Sequence, residues 1–165
     1  MKDTRAQAAL PFAARPSWDG YFMRIAHLAA TRSTCLRRRV GAVVVKERMV
    51  LATGYNDTPR GITNCGEGGC GRCAGDAPSG TSHDTCLCLH AEMNTVVQAA
   101  YHGVAIAGGT IYVTYQPCLI CAKLLLNVGL KRIVFEGTYP DPLALEMLKH
   151  ADVELVRYAG EEIPT

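Results

Sequence analysis

A chain of 165 residues with 48% hydrophobic and 19% charged residues is long enough for one domain, which at this size buries about 70% of its unfolded surface. A formal net charge of +2 is too small to argue for a nucleic-acid partner, and Arg37-Arg38-Arg39 with Arg32 ahead of it is the only local basic excess. Residues 1–16 are interrupted by Lys2, Asp3, Arg5 and Arg15, so they lack the apolar core of a signal peptide and read as a flexible tail ahead of a domain over 17–160. No run is long enough to span a membrane, and in what reads as a cytoplasmic chain the eight cysteines point to metal ligands rather than disulfides.

Trp18, Tyr21, Phe22, Ile25 and Leu28 recur at helical spacing and predict an amphipathic helix over about 18–31. A β-branched run over 40–45, the polar turn Lys46-Glu47-Arg48 and a second run over 49–55 predict a hairpin. The Gly-, Cys- and Asp-rich stretch over 56–85 has no periodicity, and 62–88 reads as a Cys-rich insertion. Helices are then expected over 90–101, 118–128 and 143–150, and strands over 110–115, 132–135 and 153–156. This alternation predicts an α/β fold with a mixed five-stranded sheet and helices on both faces, without internal repeats.

Two short motifs carry the chemistry: His90-Ala91-Glu92, and Pro117-Cys118-Leu119-Ile120-Cys121. Thiolates and a neutral imidazole suit zinc, and a catalytic zinc takes three protein ligands and keeps one position open. His90, Cys118 and Cys121 supply three. Cys118 follows a proline that favours a first helical turn, so both thiolates can face one point near the positive end of a helix. Glu92, two residues after His90, points near the metal without binding it, which suits a proton carrier. Zinc lowers the pKa of water toward about 7. Cys118-x-x-Cys121 alone would also fit a redox pair or half of a structural knuckle. The two motifs together, each ahead of an apolar helical run, favour water activation.

His-x-Glu followed by Pro-Cys-x-x-Cys is the signature of the zinc nucleobase deaminases. At these residues the chain resembles the cytidine and deoxycytidylate deaminase superfamily, and it is similar to the deoxycytidylate branch from Trp18 to about Val156. Arg32-Ser33-Thr34-Cys35, Val40-Gly41-Ala42-Val43, Gly54-Tyr55-Asn56, Thr58-Pro59-Arg60-Gly61 and Tyr112-Val113-Thr114 fall in that branch's order. The resemblance implies the three-layer cytidine-deaminase-like fold and hydrolysis of dCMP to dUMP and ammonia, in dTTP precursor supply. In that chemistry Glu92 takes the water proton, gives it to the ring nitrogen beside the amino-bearing carbon and later helps ammonia leave.

The resemblance also implies the substrate contacts. Asn56 would hydrogen-bond the sugar, though by itself it reads equally well as a turn residue. Tyr139 would lie near the ring or sugar, and Ala91 with the 114–117 segment near the base. The loop carrying Arg32, Ser33, Arg37, Arg38 and Arg39 is where the family recognises a 5′-phosphate, which suits arginine. Ser33 and Arg38 are the expected contacts, and at least two of the arginines read as a solvated face. Asp57 stands where the family usually has glycine. In members activated by dCTP and inhibited by dTTP this turn binds nucleotide, and an acid there would repel a triphosphate, so Asp57 counts against these effectors. Gln116 is a milder departure.

Cys35, Cys65, Cys70, Cys73, Cys86 and Cys88 remain, with His83 nearby, and look like a metal clasp ordering a segment too polar to fold alone. Many deoxycytidylate deaminases hold a second, structural zinc here, and Cys35, Cys65 and Cys88 match its ligand positions, the fourth being open. Six thiols exceed one tetrahedral site, so either some stay free or two metals share the cluster. Zinc is therefore the expected cofactor, one ion catalytic and at least one structural. Competing functions are a deaminase of another cytosine nucleoside or nucleotide, a nucleic-acid editing deaminase, which a short basic run and few aromatics disfavour, and a non-catalytic zinc scaffold, which Glu92 argues against. The family resemblance implies a homo-oligomer, often a hexamer.

Overall fold

The computed structural model describes residues 15–160. The tail expected over 1–16 therefore lies outside the described residues apart from Arg15 and Pro16. Strand β1 (Gly41–Lys46) pairs antiparallel with β2 (Met49–Tyr55) and with β3 (Thr110–Tyr115), while β4 (Arg132–Gly137) and β5 (Glu154–Arg157) add in parallel. The sheet order is β2-β1-β3-β4-β5, the mixed five-stranded sheet expected. The hairpin turn has only two residues, Glu47 and Arg48, both at positive φ, as a tight turn matched to strand twist requires.

Side chains alternate across this sheet and so build two cores. Val43, Val45, Tyr112 and Val134 face α1 (Trp18–Ala30), which buries Phe22, Met23 and Ala26 against them. Ala42, Val44, Ile111, Val113, Ile133 and Phe135 face the other way, against α3 (Ala91–Tyr101), α4 (Leu119–Asn127) and α5 (Pro142–His150). Among the described residues helices thus cover both faces, one on the first and three on the second. No helix among the described residues is long and apolar enough to cross a membrane.

Two glycines set how close the helices come. A Cβ at Gly41 would run into the α1 backbone at Ala26 and Ala30, and one at Gly54 into Ala91 and Thr95 of α3. Only glycine permits either approach. Gly54 therefore fixes the height of the α3 N-terminus, where His90 sits.

Local order appears where no periodicity predicted it. The insertion contains a 3-10 turn at Cys65–Glu67, the short helix α2 (Gly71–Ala74) and a second 3-10 turn at His83–Thr85. Two helix starts also shift by one residue: His90 and Cys118 are extended N-caps, not first helical residues. Pro117 accordingly precedes the cap and does not occupy the first turn.

Candidate active site

The site lies where the sheet changes direction. β3 ends beside the start of antiparallel β1, with parallel β4 on its other side, and open α/β sheets bind ligands at such a switch point. The end of β2 supplies Asn56, that of β3 supplies Tyr115 and Gln116, and the segment after β4 supplies Tyr139. All four line one cleft with Arg38, His90, Ala91, Glu92 and Cys118.

At its floor, His90 Nδ1 stands 3.4 Å from Cys118 Sγ and 3.4 Å from Cys121 Sγ. On a tetrahedral zinc with bonds of about 2.0 Å to nitrogen and 2.3 Å to sulfur, the same atoms stand about 3.5 Å apart. The donor set and its spacing therefore fit a zinc ion. Cys118 is the readier thiolate: the hydrogen bond from Cys121 holds it down to about 4, and His90 helps, against the effect of burial. Cys121 is pushed up in turn, first by that same bond and then by burial. A metal taking both sulfurs must displace the remaining proton.

Glu92 is 4% exposed, on the first turn of α3, and its carboxylate accepts a hydrogen bond from Cys121. Burial pushes its pKa up to about 7, against the pull of His90. A buried carboxyl poised near neutrality beside three soft ligands can both take and give a proton.

Asp141 keeps the second arm in place. Its Oδ1 accepts from Ala144 N at 3.1 Å, capping α5, while Oδ2 accepts from Leu119 N at 2.8 Å. One carboxylate thus satisfies orphan donors of two helices and fixes the α4 start that carries Cys118 and Cys121.

The expected substrate residues separate into two groups. Asn56 lines the cleft with Oδ1 accepting from Val40 N at 2.7 Å and Ser33 Oγ at 2.9 Å, and Nδ2 donating to Arg38 O at 2.8 Å. One amide hydrogen remains. Arg38 also lines the cleft, its guanidinium stacked 4.5 Å from the Tyr115 ring centroid and 5.8 Å from that of Tyr139. Ala91 forms part of the wall. Ser33, by contrast, is 3% exposed and lies behind Asn56, its hydroxyl also reaching Asn56 O at 2.6 Å. The Ser33 hydroxyl is thus turned to Asn56 and does not line this cleft, unlike the phosphate contact expected of it. The arginines sort as well. Arg37 donates to Gly75 O and Ala77 O at 2.9 and 2.6 Å and so ties down the insertion. Arg32 and Arg39 are exposed and outside this cleft.

His83 and Arg72 were not expected in the wall. His83 Nε2 meets Tyr139 OH at 2.8 Å, and its ring packs edge-on 5.4 Å from that of His90. Burial holds its pKa down, helped by His90. Its Nδ1 is buried without a hydrogen-bond partner among the described residues. Arg72 donates to Thr81 O at 2.7 Å. The adjacency of His83 to the cysteines in sequence pointed to metal ligation, whereas among the described residues the groups that could hold a metal do not include it. Asp57 also turns inward, accepting from Thr34 Oγ1 at 2.8 Å and Thr58 N at 2.9 Å. Burial raises its pKa, but these bonds outweigh it and hold the carboxyl below its ordinary value.

The six remaining cysteines lie together beside this cleft, in two overlapping groups of four: Cys35, Cys65, Cys73 and Cys88, and Cys70, Cys73, Cys86 and Cys88. Cys73 thus stands where the fourth partner of Cys35, Cys65 and Cys88 was open.

A family profile for the cytidine and deoxycytidylate deaminase zinc-binding region matches residues 16–137. Deoxycytidylate deaminase of Schizosaccharomyces pombe is 46% identical over 149 residues, 90% of this chain and 46% of that protein. The chain therefore spans about half the length of that relative. Deoxycytidylate deaminase of Mycobacterium phage D29 is 41% identical over 73% of this chain and 95% of its own. Among solved structures, dCMP deaminase of cyanophage S-TIM5 in complex with dCMP and dUMP superposes with a TM-score of 0.72 at 30% identity, covering 88% of this chain and 99% of that one. By the extent of these matches, and with His90, Glu92, Cys118 and Cys121 gathered at one cleft, the chain belongs to the cytidine and deoxycytidylate deaminase family.

Proposed function

We propose that this protein hydrolyses dCMP to dUMP and ammonia with a zinc ion held by His90, Cys118 and Cys121. The observation that carries this reading is the buried Glu92 carboxyl against a His-Cys-Cys trio of zinc-compatible spacing, in a cleft that also presents Arg38 and Asn56. When bound, zinc acts as a Lewis acid that brings the pKa of water near neutrality. Glu92 takes a proton from the attacking water and delivers it to the ring nitrogen beside the amino-bearing carbon. It then carries a proton to the departing amino group, so oxygen replaces nitrogen on that carbon and ammonia leaves. Its pKa of about 7 suits a group that must hold and release a proton in one cycle.

Arg38 is the residue we assign to the 5′-phosphate. Two tyrosine rings hold its guanidinium over the cleft, whereas Arg37 is engaged with loop carbonyls. Such preorganisation lowers the entropic cost of a bidentate phosphate contact. Asn56 would turn its remaining amide hydrogen to the sugar, and Tyr139, fixed by His83, would flank the ring. The buried cysteine cluster would hold at least one structural zinc.

The test is steady-state turnover of dCMP, CMP, deoxycytidine and dCTP by the purified chain. The reading expects dUMP as product and the highest kcat/KM for dCMP. Failure to form dUMP would sink it, and equal kcat/KM for deoxycytidine would remove the phosphate assignment.

A further inference from the structure

The two groups of four thiols share Cys73 and Cys88, and within each group the sulfurs all lie within 4.8 Å of one another. Sγ separations are 3.8 Å for Cys35–Cys73 and Cys73–Cys88, and 3.9 Å for Cys70–Cys86 and Cys73–Cys86. Disulfide sulfurs would lie about 2.05 Å apart. Sulfurs bound at about 2.3 Å to one tetrahedral ion lie about 3.8 Å apart, which is the spacing seen.

We propose that this cluster holds two zinc ions in tetrahedra that share an edge, with the thiolates of Cys73 and Cys88 bridging both ions. Cys35 and Cys65 complete one tetrahedron, Cys70 and Cys86 the other. The proposal rests on the reading of the cluster as a zinc clasp and extends it to metal count and connectivity.

Three observations lead here. Cys73 Sγ lies within 3.9 Å of Cys35, Cys86 and Cys88 at once. A thiolate bridging two cations would draw both sets of partners inward at once. Next, a single tetrahedral ion would leave two thiols over. With six thiolates and two dications the net charge is −2, the same as for four thiolates and one dication, so the second ion adds two ligands without adding charge. Last, a peptide N–H points at a sulfur that belongs to one group only: Leu87 N donates to Cys70 Sγ at 3.4 Å. Terminal thiolates keep the larger residual charge and gain most from such donors. All-sulfur ligation in tetrahedral geometry suits zinc.

The fold gives the cluster a structural task. Among the described residues these six cysteines form a core of their own, with no aliphatic or aromatic residue buried in it. Cys35 leads into Arg37 and Arg38, α2 carries Arg72 beside Cys73, and Cys88 lies two residues before His90. The clasp thereby anchors three segments of the cleft wall.

Elemental analysis and 113Cd NMR of the cadmium-substituted full chain test this together. Three zinc ions per chain are expected, two in the cluster and one at His90. The spectrum should show two all-sulfur resonances split by coupling through the shared sulfurs, apart from a third from the His90 site. Two zinc ions per chain with one unsplit all-sulfur line would overturn the bridged cluster and leave a single structural zinc. One per chain would overturn the clasp as well. Replacing Cys70→Ser together with Cys86→Ser should remove one ion and the splitting, whereas a single site on Cys35, Cys65, Cys73 and Cys88 would be indifferent to it. If that variant does not fold, the spectrum of the unaltered chain decides alone. None of these readouts needs turnover, so they stand apart from the success or failure of the deamination reading.

Discussion

His90, Cys118 and Cys121 stand on the caps and first turns of α3 and α4, two helices pressed against the sheet by Ala91, Val96, Ala122 and Leu125. Cys65, Cys70, Cys73, Cys86 and Cys88 come from a segment whose longest regular element is the four-residue α2. The first trio inherits its positions from a core that exists without metal. The second group makes its own core out of thiols. Preorganised ligands suit a site that must keep a position open for chemistry, and ligands gathered by the ion suit one that only has to hold.

Metal removal should expose this difference most strongly. In a chelator, amide protection over 62–88 should fall on the order of 10³-fold or more, because apparent zinc-binding energies of about 10–16 kcal/mol are folding energy for such segments. Amides of β1, β3 and β4 should keep their protection. Hydrogen exchange read by mass spectrometry checks this, and joint loss from sheet and insertion would erase the distinction.

Within the cleft, the comparison sharpens at Arg38. Arg38→Ala should raise KM for dCMP about 10- to 100-fold, the worth of one charged hydrogen bond at about 1.5–3 kcal/mol, and leave deoxycytidine kinetics nearly unchanged. Arg37→Ala should act through the insertion, lowering its protection, with a smaller effect on KM. Equal effects of the two variants on KM would contradict the division made between them.

Gly54→Ala probes the preorganised side. Its Cβ meets Ala91 and Thr95, so about 1–3 kcal/mol of stability should be lost to overpacking, seen as a lower Tm. The α3 N-terminus should shift with it, reducing zinc affinity at His90 before that of the cysteine cluster.

The smallest effect belongs to the far side of the sheet. Arg132 donates to Asp19 at 2.7 and 2.8 Å and to Glu154 at 2.9 Å, tying α1 to β4 and β5. Arg132 holds the Asp19 carboxyl below its ordinary value, against burial. An acid with a lowered folded pKa contributes stability above its unfolded pKa of 3.8 and loses it as pH falls further. Asp19→Asn should therefore cost about 1 kcal/mol or less at pH 7 for this partly exposed pair, and nothing once both carboxyl states are protonated. Chemical denaturation at the two pH values reads the difference.

The sheet side was legible because its signals are local. The β-branched run over 40–45 located β1 and the helical spacing of Trp18 to Leu28 located α1. The motifs around His90 and Cys118 located the trio, missing only that both residues cap their helices. The insertion was not legible, since its fold follows from which sulfurs meet in space. Ser33 and His83 show the same limit. A serine in a basic loop has the donor a phosphate needs, yet a hydrogen bond to Asn56 draws it inside. A histidine among cysteines has a ligand's chemistry, yet the loop path sets it against Tyr139.

The central claim is that Glu92 moves protons at a zinc ion held by His90, Cys118 and Cys121. Glu92→Gln keeps the size of the side chain and removes only its ability to take a proton. Turnover of dCMP and zinc per chain should be measured on the same preparations of this variant and of the unaltered chain. The account predicts a fall in kcat of about 10²- to 10⁴-fold, the range for loss of a general acid–base group, with zinc content unchanged. Full turnover with zinc retained would contradict it.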